Sequence, residues 1–130
     1  MKKTGKILVV DDDRELLKLL RENLRGSGFK ARFAAGGAEA LKLATSAGDI
    51  ELLLTDVLLP DITGVELAKK MLARQPDLKV AFMSGYLRPA MAGADNQGIP
   101  EAAFLQKPFS GKSLRAFLRK AWDDEEPVGG

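Results

Sequence analysis

The sequence predicts an α/β domain, a doubly wound five-stranded parallel sheet with helices on both faces. Five strand-like segments, at residues 7–10, 29–34, 51–56, 80–83 and 102–105, alternate with segments whose apolar residues recur at helical spacing. Several of these runs lack polar alternation, as strands buried on both faces of a parallel sheet do. Parallel neighbours need crossover connections, and right-handed crossovers leave helices covering both faces.

Each element has its own signals. Residues 6–10 are a short β-branched run, and after them Leu16, Leu17, Leu20 and Leu24 mark one face of a helix. Asp12 with Glu15 has the form of an acidic capping pair for that helix, and Gly26-Ser27-Gly28 ends it. A second strand over 29–34 leads to a helix carrying Ala38, Leu41 and Ala44, stopped near Gly48. The third strand ends at Asp56, and Pro60, Asp61 and Gly64 form a turn-rich loop. Thr63 and Glu66 then have the spacing of a capping box for a helix with Leu67, Met71 and Leu72, ended around Gln75-Pro76. After the fourth strand, residues 87–100 contain Pro89, Gly93, Gly98 and Pro100, so any helix there is expected to be short or poorly formed. Beyond the fifth strand Ser110 opens a final helix with Leu114, Phe117, Leu118 and Ala121 on one face.

Bulk composition bounds the chemistry. The 130 residues, 45% hydrophobic and 29% charged, suit one globular domain. We expect that domain over residues 1–122, with 123–130 as a disordered tail or the start of a linker. No apolar run approaches the roughly 18 residues of a membrane span. Met1-Lys2-Lys3 resembles the start of an export signal, but the apolar stretch before Asp11 is too short for one, and a cytoplasmic setting is expected. Lys and Arg are scattered and the net charge is +2, so neither nucleic-acid nor membrane contact is expected of this chain. Cysteine and histidine are both absent, which removes disulfides, thiolate nucleophiles, histidine metal sites and serine–histidine triads. Only hard oxygen ligands remain for a metal, favouring magnesium, manganese or calcium.

The residues that punctuate the strands are the candidates for function. In an open α/β sheet, ligands settle outside the carboxyl ends of the strands. Asp11 and Asp12 follow the first run, Asp56 the third, Ser84 the fourth and Lys107 the fifth. An Asp56 carboxylate oxygen can attack phosphorus to form an acyl phosphate, and Mg²⁺ offsets the meeting of two anions. Asp12 suits direct ligation of that ion, with Asp11 acting largely through water or geometry. The Lys107 ammonium and the Ser84 hydroxyl suit phosphoryl oxygens. Singly, each residue has an ordinary reading: an N-cap for Asp11 to Asp13, turn residues for Asp56 and Ser84, a solvated lysine, a core Phe104. Their joint occurrence, in order and each at a strand end, favours the site.

Together these residues resemble the receiver domain of bacterial response regulators, the CheY-like family, over residues 6–122. Asp56, Pro60 and Gly64 fall at intervals of four, as in the family's loop beyond its phosphorylated aspartate. The resemblance implies the flavodoxin-like strand order 2-1-3-4-5. It implies a phosphoacceptor of a two-component phosphorelay, a signal-transduction phosphoprotein rather than an enzyme, with Asp56 as phosphoacceptor. Asp11, Asp12, Asp56 and the backbone carbonyl of Leu58 would hold Mg²⁺, Ser84 and Lys107 would bind the phosphoryl group, and Ser84 with Phe104 would form the switch. Leu58 and Tyr86 stand where similar receivers tune access of water, and neither offers a carboxylate or amide, so slow self-dephosphorylation is expected. The partner would be a histidine kinase or a histidine phosphotransfer protein. The sparse segment at 87–100 argues against the family's dimer face, so a monomer or weak dimer is expected. The strings Met83-Ser84-Gly85-Tyr86 and Phe104-Leu105-Gln106-Lys107-Pro108-Phe109 are similar to receivers fused to hybrid sensor histidine kinases.

Two other classes share part of this pattern. A haloacid-dehalogenase-type phosphatase also uses an aspartyl nucleophile with magnesium, and its two aspartates lie two apart after the first strand, as Asp11 and Asp13 do. A phosphorylation-independent binding module is the other. Phosphate motifs fail by residue: Gly111-Lys112-Ser113 has Gln106 where a P-loop needs its first glycine, and Gly26-Ser27-Gly28 follows a helix and has Ala31 in place of the third dinucleotide-binding glycine.

Overall fold

A computed structural model describes residues 6–46, 50–85 and 102–123. In chain order these form β1 (Lys6–Val10), α1 (Arg14–Leu24), β2 (Lys30–Ala34), α2 (Gly37–Ser46), β3 (Leu52–Asp56), α3 (Gly64–Arg74), β4 (Lys79–Ser84), β5 (Ala103–Gln106) and α4 (Gly111–Asp123). The five strands make one parallel sheet in the order β2-β1-β3-β4-β5. Tyr86 and the sparse segment at 87–100 lie outside the described residues, as does the tail beyond α4, which runs one residue into the segment expected as tail.

Alternation along each strand divides the core into two halves. Leu8, Val10, Leu53, Val80 and Phe82 face α2 and α3, while Ile7, Val9, Leu52, Leu54, Ala81 and Met83 face α1 and α4. Both sets are buried, which explains the unbroken apolar runs. β2 lies at an edge and alternates between exposed and covered positions, with Lys30 and Arg32 exposed. The Arg21 guanidinium lies 4.5 Å from the centre of the Phe33 ring and covers that edge from α1.

The starts of α1, α3 and α4 follow the capping signals with one correction, and Gly48, the expected stop of α2, lies outside the described residues. Asp13, not Asp12, caps α1: its Oδ1 accepts the N–H groups of Glu15 and Leu16 at 3.1 and 3.2 Å. The Asp12–Glu15 pair does not form because Asp11 Oδ1 accepts the Asp13 N–H, a tight turn that delays the helix by one residue. Asp12 is thereby left exposed beside the strand ends. The Thr63–Glu66 capping box forms, and Ser110 Oγ accepts the Ser113 N–H at the start of α4. Gly26 and Gly28, with φ of 74° and 98°, supply the left-handed turn that ends α1.

Parallel register brings the strand ends to one edge. Val10 pairs with Thr55, Asp56 with Met83 and Ser84 with Gln106. The loop after β3 is held close: Leu58 bridges Thr63, and the Gly64 N–H donates to the Val57 carbonyl at 2.7 Å. A Cβ at Gly64 would run into the Asp56 carbonyl oxygen.

Urea denaturation checks this packing. Leu53→Ala is expected to cost about 2–5 kcal/mol, since it empties a fully buried site between sheet and helices. Gly64→Ala is expected to cost about 1–3 kcal/mol by pushing against backbone. Leu19→Ala, on the exposed face of α1, should stay within about 0.5 kcal/mol of wild type.

Candidate functional site

The carboxyl edge of the sheet gathers three carboxylates around one ammonium. The backbone N–H of Asp11 still donates to the Ala34 carbonyl, one step beyond β1, which fixes the residue at the strand end. Its side chain is buried; Oδ1 accepts the Asp13 N–H at 2.9 Å and Oδ2 accepts from Lys107 Nζ at 2.6 Å. Asp56 closes β3, with Oδ1 accepting the Leu58 N–H at 3.2 Å and Oδ2 accepting from Lys107 Nζ at 2.9 Å. Lys107 follows β5, anchored by its N–H donating to the Ser84 carbonyl at 2.8 Å, and a cis peptide joins it to Pro108. Asp12 is exposed, and it, Asp11 and Asp56 each present a carboxylate oxygen within 4.8 Å of the others.

Charge here is out of balance. Three carboxylates face one ammonium. Burial pushes the Asp11 carboxyl up, because the hydrogen bonds from Lys107 and the Asp13 N–H do not fully offset lost hydration. Burial works against the Lys107 charge, yet its bonds to Asp11 and Asp56 prevail and hold its pKa above the usual lysine value. An all-oxygen donor set with surplus negative charge fits a hard divalent cation such as Mg²⁺.

The remaining candidates sit around this core. Ser84 is buried at the end of β4, directly after the register partner of Asp56. Phe104, partly buried, lies on the same sheet face as Ser84, its ring 5.7 Å from that of Phe82 and tilted by 31°. Leu58 is half exposed, at 51%, next to Asp56. Tyr86 lies outside the described residues. Asp13, the second aspartate of the Asp11/Asp13 spacing, is engaged as a helix cap through Oδ1.

Sequence reading misses one member of the surroundings. Asp61 accepts the backbone N–H groups of Gly37 and Ala38, at 2.9 and 2.8 Å, and so caps α2 from another loop. A signal exists: α2 begins after Ala35-Gly36, without a Ser, Thr, Asp or Asn of its own at the cap.

The Asp11 shift has a testable sign. Its folded pKa is raised above the unfolded value of 3.8, so the folded state holds the proton more tightly. The resulting penalty is absent below that value and complete once pH has risen through the folded pKa. In metal-free buffer at pH 7, Asp11→Asn should therefore be more stable than wild type, and the gain should vanish as pH falls toward 3.8. Urea midpoints at several pH values with chelator present check this.

Comparison with known proteins places the chain. The response regulator receiver domain family matches residues 7–119. The response regulator receiver protein CpdR of Brucella abortus (strain 2308) is 31% identical over 84% of this chain and 89% of its own length. The sensor kinase CckA of the same organism is 31% identical over 92% of this chain, which spans only 13% of that protein. A crystal structure of the receiver domain from hybrid histidine kinase CckA superposes with a TM-score of 0.74 at 32% identity, covering 90% of this chain and 98% of that one. No helix among the described residues is long and apolar enough to cross a membrane. Receiver domains generally bind Mg²⁺ at an acidic cluster of this kind. The chain belongs to the response regulator receiver domain family, the phosphoacceptor modules of two-component signalling.

Proposed function

We propose that Asp56 is the phosphoacceptor and that this chain takes its phosphoryl group from a histidine kinase or a histidine phosphotransfer protein. The observation that carries the reading is the single ammonium of Lys107 bonded to both Asp11 and Asp56. One Asp56 carboxylate oxygen would attack phosphorus, the phosphorus–nitrogen bond of a phosphohistidine would break, and the imidazole would leave with its electron pair and take a proton. This chain has no histidine, so the donor imidazole belongs to another polypeptide or to another part of a longer chain. A cytoplasmic location goes with this reading.

Asp11, Asp12, Asp56 and the Leu58 carbonyl are the residues we assign to Mg²⁺. Bound there, the ion would neutralise charge on the phosphoryl oxygens during transfer. Lys107 supplies a fixed point charge for one phosphoryl oxygen, and the Ser84 hydroxyl a hydrogen bond for another. A phosphoryl group adds charge and acceptor oxygens at residue 56, drawing the end of β4 inward. Phe104 shares the Ser84 face and has no hydroxyl, so its response would be one of packing alone. Leu58, half exposed beside Asp56, and Tyr86 would shield phosphorus without orienting a water. We assign residues 1–122 to the receiver and residues 123–130 to a tail or the start of a linker.

Acetyl phosphate with Mg²⁺ tests these roles without a cognate kinase. Asp56→Asn should abolish labelling, Lys107→Met should slow it at least tenfold, and Asp11→Asn should leave slow labelling at residue 56. Loss of label in Asp11→Asn together with retention in Asp56→Asn would instead support the dehalogenase-type assignment. Leu58→Ala combined with Tyr86→Ala should shorten the phosphorylated half-life, read by intact mass over time; an unchanged or longer half-life removes the shielding role.

A further inference from the structure

Asp61 stands five residues beyond Asp56, in the loop between β3 and α3, yet its carboxylate works on a different helix. Oδ1 accepts the Gly37 N–H at 2.9 Å and the Ile62 N–H at 3.0 Å, and Oδ2 accepts the Ala38 N–H at 2.8 Å. These backbone donors hold the Asp61 carboxyl below its usual range. The contact is direct and tight: a Cβ on Gly37 would meet Ile62 Cγ1 at 2.5 Å and Cδ1 at 2.6 Å, and one on Gly36 would lie 3.3 Å from Asp61 Oδ1. Two glycines at this junction let the helix start approach the loop without an intervening side chain.

The other end of the same loop is tied to the site. The Leu58 N–H donates to Asp56 Oδ1, Leu58 bridges Thr63, and Gly64 closes the loop onto the Val57 carbonyl. Loop residues 57–63 are thus pinned at Asp56 on one side and at the first turn of α2 on the other. Any rearrangement of the Asp56 carboxylate that moves Leu58 must carry Asp61 with it or release the α2 amides.

We propose that Asp61 is a positioning residue that couples occupancy of the Asp56 site to the order of the first turn of α2. The proposal rests on the assignment of Asp56 given above. Coupling between two places is reciprocal, so a ligand at Asp56 must steady the α2 amides by the same factor by which their cap favours the ligand. A cap drawn from a neighbouring residue would leave the two places independent.

The test uses the whole chain, Mg²⁺ with beryllium fluoride as the probe, and amide hydrogen exchange followed by NMR. In wild type, the probe should shift resonances around residue 56 and slow exchange at Gly37 and Ala38 at least threefold. Asp61→Ala and the milder Asp61→Asn should lose that slowing and bind the probe at least threefold more weakly. Glu39→Ala removes a different bond at the same helix start, the Ala35 N–H to Glu39 Oε1 at 2.9 Å, and should keep both responses. Unchanged exchange at Gly37 and Ala38 while residue 56 responds overturns the coupling and leaves the Asp56 assignment standing. Equal loss in Glu39→Ala also overturns it, since helix stability alone would then account for the effect. No response around residue 56 in wild type removes the Asp56 assignment itself, and this inference with it.

Discussion

The ammonium of Lys107, shared between Asp11 and Asp56, is the interaction on which the rest of the site depends. β5 lies at the edge of the sheet and β1 and β3 lie inside it, so only a long side chain can cross the end of β4 to reach both carboxylates. Lysine fits this task better than arginine, because its charge is compact and its stem flexible, whereas a guanidinium prefers planar, two-pronged contact with one carboxylate. Removing that ammonium strands both carboxylates it holds, and stranded buried charges typically cost several kcal/mol. The price of holding Asp11 under cover is visible in its raised pKa.

The sheet separates stability from chemistry along one direction. Within the inner strands β1, β3 and β4 most side chains are apolar and buried, on two faces covered by different helix pairs. At the carboxyl ends the chain turns polar within a single residue: Val10 to Asp11, Met83 to Ser84. Substitutions inside the strands should therefore change folding free energy, and those at the ends should change charge balance and ligand affinity. Thr55 shows how the boundary is kept: it is buried, and its hydroxyl is satisfied by donating to the Asp56 carbonyl at 2.9 Å.

Much of this is legible in the sequence because the signals are local. Unbroken apolar runs mark the inner strands, the Thr63–Glu66 spacing marks the start of α3, and the residues that end β1, β3 and β4, with Lys107 just past β5, meet at one edge once the strands are parallel. What local patterns do not supply is contact at long separation. Asp61 in a Pro-Asp turn reads as an ordinary turn residue, and the missing cap at the start of α2 shows that a cap is needed without showing that the Asp61 carboxylate supplies it to Gly37 and Ala38. The start of α1 differs by one residue from the expected cap because three consecutive aspartates all suit that position, and only the Asp13 N–H bonding back to Asp11 selects among them. That selection frees Asp12 for the site.

The whole arrangement serves one carboxylate. After incubation with acetyl phosphate and Mg²⁺, borohydride reduction converts an aspartyl phosphate to homoserine, and peptide mass spectrometry then reports its position. Conversion at residue 56 alone is expected. Conversion at residue 11 or 12 with residue 56 intact, or no conversion under conditions where the protein is folded, would contradict it.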